Sequence, residues 1–523
     1  TWISFLKICP KKRLQSLHGP SSSRHTKNSL PNLDFLDAAD GSKTCSANGI
    51  RLHSFYSPEK EAERFADGIP CDFNPKYILI TEPALSYCAP FLRKRFAHSV
   101  LCCTRFCADF SQTDNLWDKV FYSDSALGEA LFSFMGDEGI ASCLFASWKP
   151  SEKAFPKQSA LAWNEIKAAV LKSRNVLCTR KHFAKRWAKN AVRLSLFAKN
   201  IYGIKSGTSP VVVCASGPSL FSSLEKIREY RDSFFLIAVS SALSPLVNAG
   251  IVPDLCVSTD GGFWAKMHLT FAEKKIHVPL AVPAEGACPG EAAANEKIVP
   301  LFYGDGIGDD ILRGCGICGL RAQRNGTVSG TAAMLALSIT SGNVFFCGLD
   351  LAPSKSFCHT QPNELEKTDS LCDGRLCTQE TRLAPGGFTS RALDIYRSWF
   401  SAADFGGRLK RLSNHFDYKN TLGKIQDTDW NFFAEHKGTG IKPELYKQDI
   451  KPLCVCREEA VRRTIHEKIG SQEWISCALP SEAVVLERSS GTQFEENAKQ
   501  TIQSGMQDFY ASLIKSVPDR GRI

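Results

Sequence analysis

At 523 residues, 43% of them hydrophobic, the chain is long enough for two or three domains with buried cores, which excludes a short disordered segment or a disulfide-stapled module. Lys and Arg number 64 against 54 Asp and Glu, a surplus that suits anionic small ligands or an acidic partner surface without requiring nucleic acid. The 21 cysteines follow no regular spacing and nothing near the start reads as a secretory signal, so they are expected to be reduced thiols of a cytoplasmic protein. Apolar runs such as FFLIAV (234–239) and NVFFC (343–347) fall far short of the roughly 18 residues that a spanning helix needs, so no membrane span is expected.

In chain order, residues 1–45 are basic and rich in Ser, Pro and Asn, which predicts a poorly ordered arm. From 46 to 175, short apolar strands such as YILI (77–80) alternate with helical segments, as in a small α/β domain. Within it Ser57, Pro58 and Glu61 carry the chemistry of a helix start, with Ser57 as the cap. Residues 176–205 predict a basic helical connector. Phe183, Trp187, Ala191 and Leu194 share one face of it, and Lys181, Lys185, Lys189 and Arg193 form a stripe on another. The stripe reads either as the solvated side of an interdomain helix or as a contact for an acidic protein surface.

Residues 206–385 form the most legible unit. Strand 211–215, helix 220–230, strand 234–239, helix 241–249 and strand 255–260 make a βαβαβ pattern in which Gly250 ends the second helix. Beyond it, FTSRALDIYRSWFSAADF and GMQDFYASLIKSV carry helical periodicity around an irregular TGIKPELYKQDIKPLCVC, which predicts a mostly helical region over 386–523. The fold class is therefore α/β, with a central doubly wound, mostly parallel sheet flanked by a smaller N-terminal α/β domain and a helical C-terminal region.

In such a sheet the first βα turn is the usual seat of a phosphate, and here that turn reads ASGPSL (215–220). Gly217 lets the backbone approach a ligand, Pro218 stiffens the turn without offering an N–H, and Ser219 places a hydroxyl beside the helix N-terminus. Ser222 and Glu225 stand at capping-box spacing. The turn lacks G-x-G-x-x-G, and the second strand ends IAVSS without an acid, which excludes NAD and FAD. Gly423 and Lys424 precede Ile and lack an upstream glycine, which excludes a P-loop.

A lone Gly-Pro-Ser turn is also compatible with a plain loop, and convergence is what favours a site. STDGG (258–262) brings Asp260 to the same sheet edge, and residues 325–360 deliver a Gly/Thr/Ser loop, an apolar helix, a buried strand, Asp350 and His359. Asp427 and Asp429 form an Asp-x-Asp away from these motifs and read as a surface loop rather than a metal site. Cys315 and Cys318 form a C-x-x-C, but their candidate partners Cys372, Cys377, Cys454 and Cys456 fit no zinc module.

The segments CASGPSL, GIVPDLCVSTDGG, GTVSGTAAMLAL and FFCGLDLAPSKSFCH resemble the motility-associated factor (Maf) glycosyltransferases. The central domain of that family is related to bacterial sialyltransferases and to the MptE-like archaeal 6-hydroxymethylpterin pyrophosphokinases. LHSFYSPEKEA, KHFAKRWAKN and RALDIYRSWF resemble the family's N-terminal domain, connector and C-terminal start, so the resemblance runs over about residues 48–420. It implies transfer of a nonulosonic acid, of the sialic, pseudaminic or legionaminic type, from a CMP-sugar to Ser or Thr of flagellin in the cytoplasm, in the service of the flagellum and motility.

By that similarity Gly217, Pro218 and Ser219 cradle the CMP phosphate, Ser241, Thr327, Ser329 and Gly330 line the nucleotide cleft, and Asp260 borders the nucleotide or sugar. His359 is the base for the acceptor hydroxyl, and Asp350 holds its loop. Two departures stand out: Ser241 replaces an Asn common in related sialyltransferases, and HTQPN follows where the family has a small residue and Gly after the His. A CMP leaving group carries one phosphate, so no metal cofactor is expected. The implied partners are a nucleotide-sugar donor and flagellin, not nucleic acid. Two alternatives stay open. One is a pyrophosphokinase-like diphosphate transfer using ATP and Mg, with Asp260 and Asp350 facing the metal; the other is a non-catalytic flagellin-binding factor.

Overall fold

The computed structural model describes residues 33–273, 276–352, 359–365, 371, 373–376, 391–413, 421–450 and 454–518. The chain divides into two compact units, one of Thr1–Pro70, Ile78–Leu127 and Phe145–Glu165, the other of Cys71–Tyr77, Gly128–Leu144 and Ile166–Ile523.

In the first unit β1 (Leu33–Asp37), β2 (Lys43–Ala47) and β3 (Ile50–Arg51) pair antiparallel. The poorly ordered arm expected over 1–45 therefore ends sooner, because Cys45 and Ala47 alternate inward to buried positions and fix the register of β2. Residues 1–32 lie outside the described residues. A four-stranded sheet follows from β4 (Tyr77–Thr81), β5 (Val100–Arg105), β6 (Lys119–Tyr122) and β7 (Cys143–Ser147), in the order β6-β5-β4-β7. Ser57 precedes the helix Pro58–Gly68 as expected but makes no side-chain cap; the Glu61 carboxylate instead accepts the Ser54 N–H at 2.6 Å.

Beneath this sheet's carboxyl end lies a buried charge network. Arg105 donates to Glu82 Oε1 (3.1 Å), Asp114 Oδ1 (2.8 Å) and the Ala84 carbonyl (2.9 Å), and Glu82 Oε2 accepts the Phe106 N–H (2.6 Å). Burial pushes the Glu82 carboxyl up, and Arg105 opposes that shift. Glu82, Ala84 and Ser86 all hold positive φ (37°, 49° and 60°), a region that non-glycine residues enter at a cost, and Arg105 ties all three in place. Arg105→Met strands the Glu82 charge in the interior, so urea denaturation should show a loss of about 3–5 kcal/mol. An unchanged midpoint would mean that the ion pair does not hold this turn.

The second unit takes in most of the helix Pro156–Phe197. Its expected two faces are present: Ala184, Ala188, Ala191, Val192 and Leu194 are buried, the Phe183 and Trp187 rings stack at 5.7 Å, and Lys181, Lys185 and Arg193 are exposed. Lys181 pairs with Glu482, so one member of the basic stripe ties the connector to the C-terminal helices.

From there β8 (Asn200–Lys205), β9 (Val211–Cys214), β10 (Phe235–Val239), β11 (Leu255–Val257), β12 (Leu280–Pro283), β13 (Lys297–Phe302), β14 (Leu320–Arg321), β15 (Val344–Cys347), β16 (Leu409–Leu412), β17 (Gln426–Thr428) and β18 (Glu444–Lys447) build one sheet. Its order is β17-β16-β15-β9-β10-β11-β12-β13-β8-β18 with β14 on β13, and among the described residues every pair but β18 on β8 is parallel. The runs VVVC, FLIAV and VFFC are buried throughout, as strands covered on both faces must be. The predicted helices appear as Leu220–Glu229 and Leu243–Asn248, and Gly250 follows the second at φ 72°.

The sheet does not stop near residue 385. β16 and β17 extend it on one side, and β18, inside the stretch read as irregular, closes the other. ELYK is a half-exposed edge strand with no continuous apolar run, so its pattern is weak in the sequence. The helical C-terminal region then follows as Arg457–Lys468, Gln472–Ala478, Pro480–Ser489 and Glu495–Ile514.

Candidate functional site

The strand order reverses at β9. The chain runs from β9 through β10, β11 and β12 to β13 on one side, then returns to lay β15 on the other. Open α/β sheets form their ligand crevice at such a reversal, outside the carboxyl ends of the strands. Two turns meet there: ASGPSL after β9 and GLDL after β15.

Their approach is close enough to require glycine on both sides. A Cβ on Gly217 would lie 2.4 Å from the Gly348 carbonyl oxygen and 2.5 Å from Asp350 Oδ2, and one on Gly348, at φ 71°, would lie 2.3 Å from the Ala215 carbonyl oxygen. Asp350, buried to 1% exposure, closes the junction: Oδ2 accepts the Ser219 N–H at 2.7 Å and Oδ1 the Ser219 hydroxyl at 2.5 Å. A carboxylate thus sits on the positive end of the helix Leu220–Glu229 and does the capping that the sequence assigned to Ser222 and Glu225. The Ser222 hydroxyl donates to the Ser219 carbonyl instead, at 2.8 Å.

The other amides of the turn are also engaged. Gly217 N–H donates to Gly348 O (2.9 Å), Leu220 to Gly217 O (3.0 Å) and Phe221 to Pro218 O (3.2 Å). The donors expected at Gly217 and Ser219 to cradle a phosphate are therefore bonded within the protein, and Pro218 has none to give. In this arrangement the three residues shape the crevice and leave its lining to their neighbours.

Those neighbours come together in a bonded group. The Ser241 hydroxyl donates to Ser216 Oγ at 2.8 Å, linking the turns after β9 and β10. The segment 359–365 clasps both: Thr360 N–H donates to Ser216 O (2.7 Å), the Thr360 hydroxyl to Gly217 O (2.6 Å), and Asn363 Nδ2 to Ser241 O (3.4 Å). His359 is half-buried at the start of this segment, beside the β9 turn. The next residue after Asn363, Glu364, accepts through Oε2 from His268 Nδ1 at 2.9 Å, on the helix Phe263–Glu273.

A second group lies farther along the same edge. Asp260 is exposed and its Oδ1 accepts the Gly262 N–H at 2.9 Å, an Asx turn at the carboxyl end of β11. Burial pushes the Tyr396 phenol up, and the Asp260 carboxylate adds to that shift. A Cβ on Gly326 would come within 3.5 Å of the Tyr396 ring, and one on Gly330 within 3.1 Å of Trp399. Thr327 and Ser329 are half-buried, and Thr327 precedes the helix Val328–Ile339, accepting the Gly330 N–H at 3.1 Å through its carbonyl.

The connector helix braces this group from below. Asn190 Nδ2 donates to Glu285 O (2.9 Å) and Gly261 O (3.3 Å), and a Cβ on Gly261 would fall 2.5 Å from the Trp187 ring. Arg324 bonds Glu285 (2.7 Å) and Asp305 and lies 4.4 Å over the Tyr303 ring, anchoring the loop that leads into Thr327. Sequence reading had passed over Asn190, His268, Arg324, Thr360, Asn363, Glu364 and Tyr396. Asn190, Thr360, Asn363 and Tyr396 stand inside the quoted segments KHFAKRWAKN, HTQPN and RALDIYRSWF, and Arg324 lies just before the Thr327 loop, whereas His268 and Glu364 lie in no quoted motif.

Asp427 and Asp429 both have structural partners. Asp427 pairs with Arg411 through two bonds of 2.6 Å, and Asp429 caps the helix Trp430–His436 by accepting the Phe432 N–H at 2.8 Å. Cys315 is buried while Cys318 and Cys454 are exposed, and Cys372 and Cys377 lie outside the described residues. A cavity of about 490 Å³ lined by Lys199, Lys447, Asp449 and Arg457 among others contains none of the predicted site residues. Among the described residues no helix is long and apolar enough to cross a membrane.

Removing the Asp350 carboxylate deletes a helix cap and leaves the Ser219 donors without acceptors. Asp350→Ala should therefore lower the unfolding free energy by about 1–2 kcal/mol in urea titrations. No change would show that the two turns are held together by something else.

The chain matches, over residues 181–356, a family model described as 6-hydroxymethylpterin diphosphokinase MptE-like. An uncharacterized protein of Treponema pallidum (strain Nichols) is 31% identical over 351 residues, covering 66% of this chain and 76% of that protein. A second uncharacterized protein of the same organism is 28% identical over 103 residues, 19% of this chain and 46% of that protein. Among solved structures, the Maf glycosyltransferase of Magnetospirillum magneticum AMB-1 is 12% identical, covers 93% of this chain and 88% of its own, and superposes with a TM-score of 0.44.

Proposed function

Because this chain belongs to one family with the longer-matching Treponema pallidum protein and is MptE-like at its centre, we propose that it is a glycosyltransferase that moves a nonulosonic acid from a CMP-sugar to Ser or Thr of flagellin. The observation that carries this reading is the bonded group at the reversal point. Ser216, Ser241 and the 359–363 clasp bring hydroxyls, an amide and a histidine to one crevice where an open α/β sheet takes its ligand. The Maf-like motifs quoted from the sequence fall on these turns.

The proposal differs from the sequence expectation in one respect. Asp350 occupies the helix start after β9 and the Ser241 proton goes to Ser216 Oγ, so the CMP phosphate rests on the Ser216 hydroxyl and on the Thr327–Gly330 turn, while Gly217, Pro218 and Ser219 give the crevice its shape and Ser241 orients Ser216. The leaving group carries one phosphate, and neutral donors suffice to stabilise the charge it develops, so transfer proceeds without a metal. His359 is the residue that the family resemblance nominates to accept the proton of the acceptor hydroxyl. The Maf resemblance also supplies the reading that the reaction takes place in the cytoplasm.

The name of the matching family model supports a second reading, diphosphate transfer from ATP with Mg, in which the exposed Asp260 faces the metal; Asp350, which the sequence placed beside it, is instead bonded to Ser219. Calorimetric titration separates the two. The glycosyltransferase reading requires CMP to bind with chelator present and Ser216→Ala to weaken it about tenfold, the loss of one charge-assisted hydrogen bond. Binding of ATP only with Mg, and no binding of CMP, would transfer the assignment to the kinase reading. CMP binding without release of CMP from a CMP-sugar would instead fit a flagellin-binding factor.

A further inference from the structure

We propose that the proton acceptor of the reaction is His268, oriented by Glu364, rather than His359; this rests on the glycosyltransferase reading above. Neither residue belongs to the motifs on which the sequence resemblance was built.

The geometry is that of a base held for its task. The His268 ring is on the helix that follows the STDGG turn, its side chain is 9% exposed, and Nδ1 lies 2.9 Å from Glu364 Oε2, whose side chain is 14% exposed. A carboxylate bonded to Nδ1 fixes the neutral ring with its proton on Nδ1, leaving Nε2 with the lone pair, and stabilises the imidazolium once Nε2 has taken a proton. Burial works against ionisation of Glu364, yet the bond from His268 holds the carboxyl below its usual range, so Glu364 is the charged partner that this arrangement needs.

Position adds the second argument. Glu364 follows Asn363, which is buried to 1% exposure and bonded to the Ser241 carbonyl, and the same segment is fastened to Ser216 and Gly217 through Thr360. The helix Phe263–Glu273 packs against the turn Ser240–Ala242. The dyad is therefore built into the bonded group at the reversal point. His277 meets the Glu296 carboxylate in the same way at 2.7 Å; what sets His268 apart is that its carboxylate comes from the segment that clasps the crevice.

In the step, the acceptor oxygen forms a bond to the anomeric carbon of the sugar while the bond from that carbon to the phosphate oxygen breaks. The electron pair leaves with CMP, and the hydroxyl proton passes to His268 Nε2 and then to solvent.

The test compares His268→Gln, Glu364→Gln and His359→Ala in the full chain, with CMP binding, thermal unfolding and CMP release from CMP-N-acetylneuraminic acid measured for each. His268→Gln and Glu364→Gln should keep CMP affinity and melting temperature while kcat falls about 100-fold or more, the usual contribution of a general base. His359→Ala is the comparison at the residue that the family resemblance nominates, and the assignment requires the drop in kcat at fixed CMP affinity to be larger in His268→Gln than in His359→Ala. Turnover that survives in His268→Gln, or that is lost in His359→Ala alone, overturns the assignment while leaving the glycosyltransferase reading in place. A wild-type protein that neither binds nor releases CMP overturns that reading and the assignment with it.

Discussion

The contact on which the site depends is the bond pair between Asp350 and Ser219. β9 and β15 are adjacent strands from distant parts of the chain, and the sheet's order reverses between them. At a reversal the two following helices diverge and leave a crevice. Asp350 spans that crevice at its base, caps the helix Leu220–Glu229, and holds the two glycine turns at a separation no side chain would allow. A buried carboxylate needs donors, and the Ser219 N–H and hydroxyl supply them, so the tie and the cap are one interaction.

Much of the surrounding architecture follows from fixing this base. With the 216–219 turn immobile, Ser216 can hold Ser241, and the 359–365 segment can fasten across both turns through backbone groups that would otherwise lack a fixed partner. The second group, from Asp260 to Thr327, is positioned separately by the connector helix, whose Asn190 and Trp187 support the loops after β11 and β12. Two independent supports for two halves of one edge suit a ligand with two parts, such as a nucleotide joined to a sugar.

The central sheet was legible because its strands are buried on both faces and so read as unbroken apolar runs. The turns after β9, β11 and β15 were legible because glycine has few other reasons to recur at strand ends. What the sequence concealed is consistent in kind. β16, β17 and β18 are short or half-exposed strands whose place in the sheet depends on partners far away in sequence. Ser219 and Asp350 were both named, yet nothing in their separate neighbourhoods reveals that each satisfies the other across 131 positions, which turns a predicted phosphate contact into a structural tie. His268 and Glu364 were invisible for the same reason: each is an ordinary residue in its own segment, and the pair exists only in the fold.

The central claim is that a CMP-sugar binds at the reversal point. Hydrogen–deuterium exchange of the full chain with and without CMP tests it most directly, since bound nucleotide slows local opening of the turns it contacts. The account predicts slowed exchange confined to the segments around Ser216, Ser241, Thr327–Gly330 and Thr360–Glu364. Protection centred instead on the cavity lined by Lys199, Lys447 and Arg457, or no protection at concentrations that saturate a binding isotherm, would contradict it.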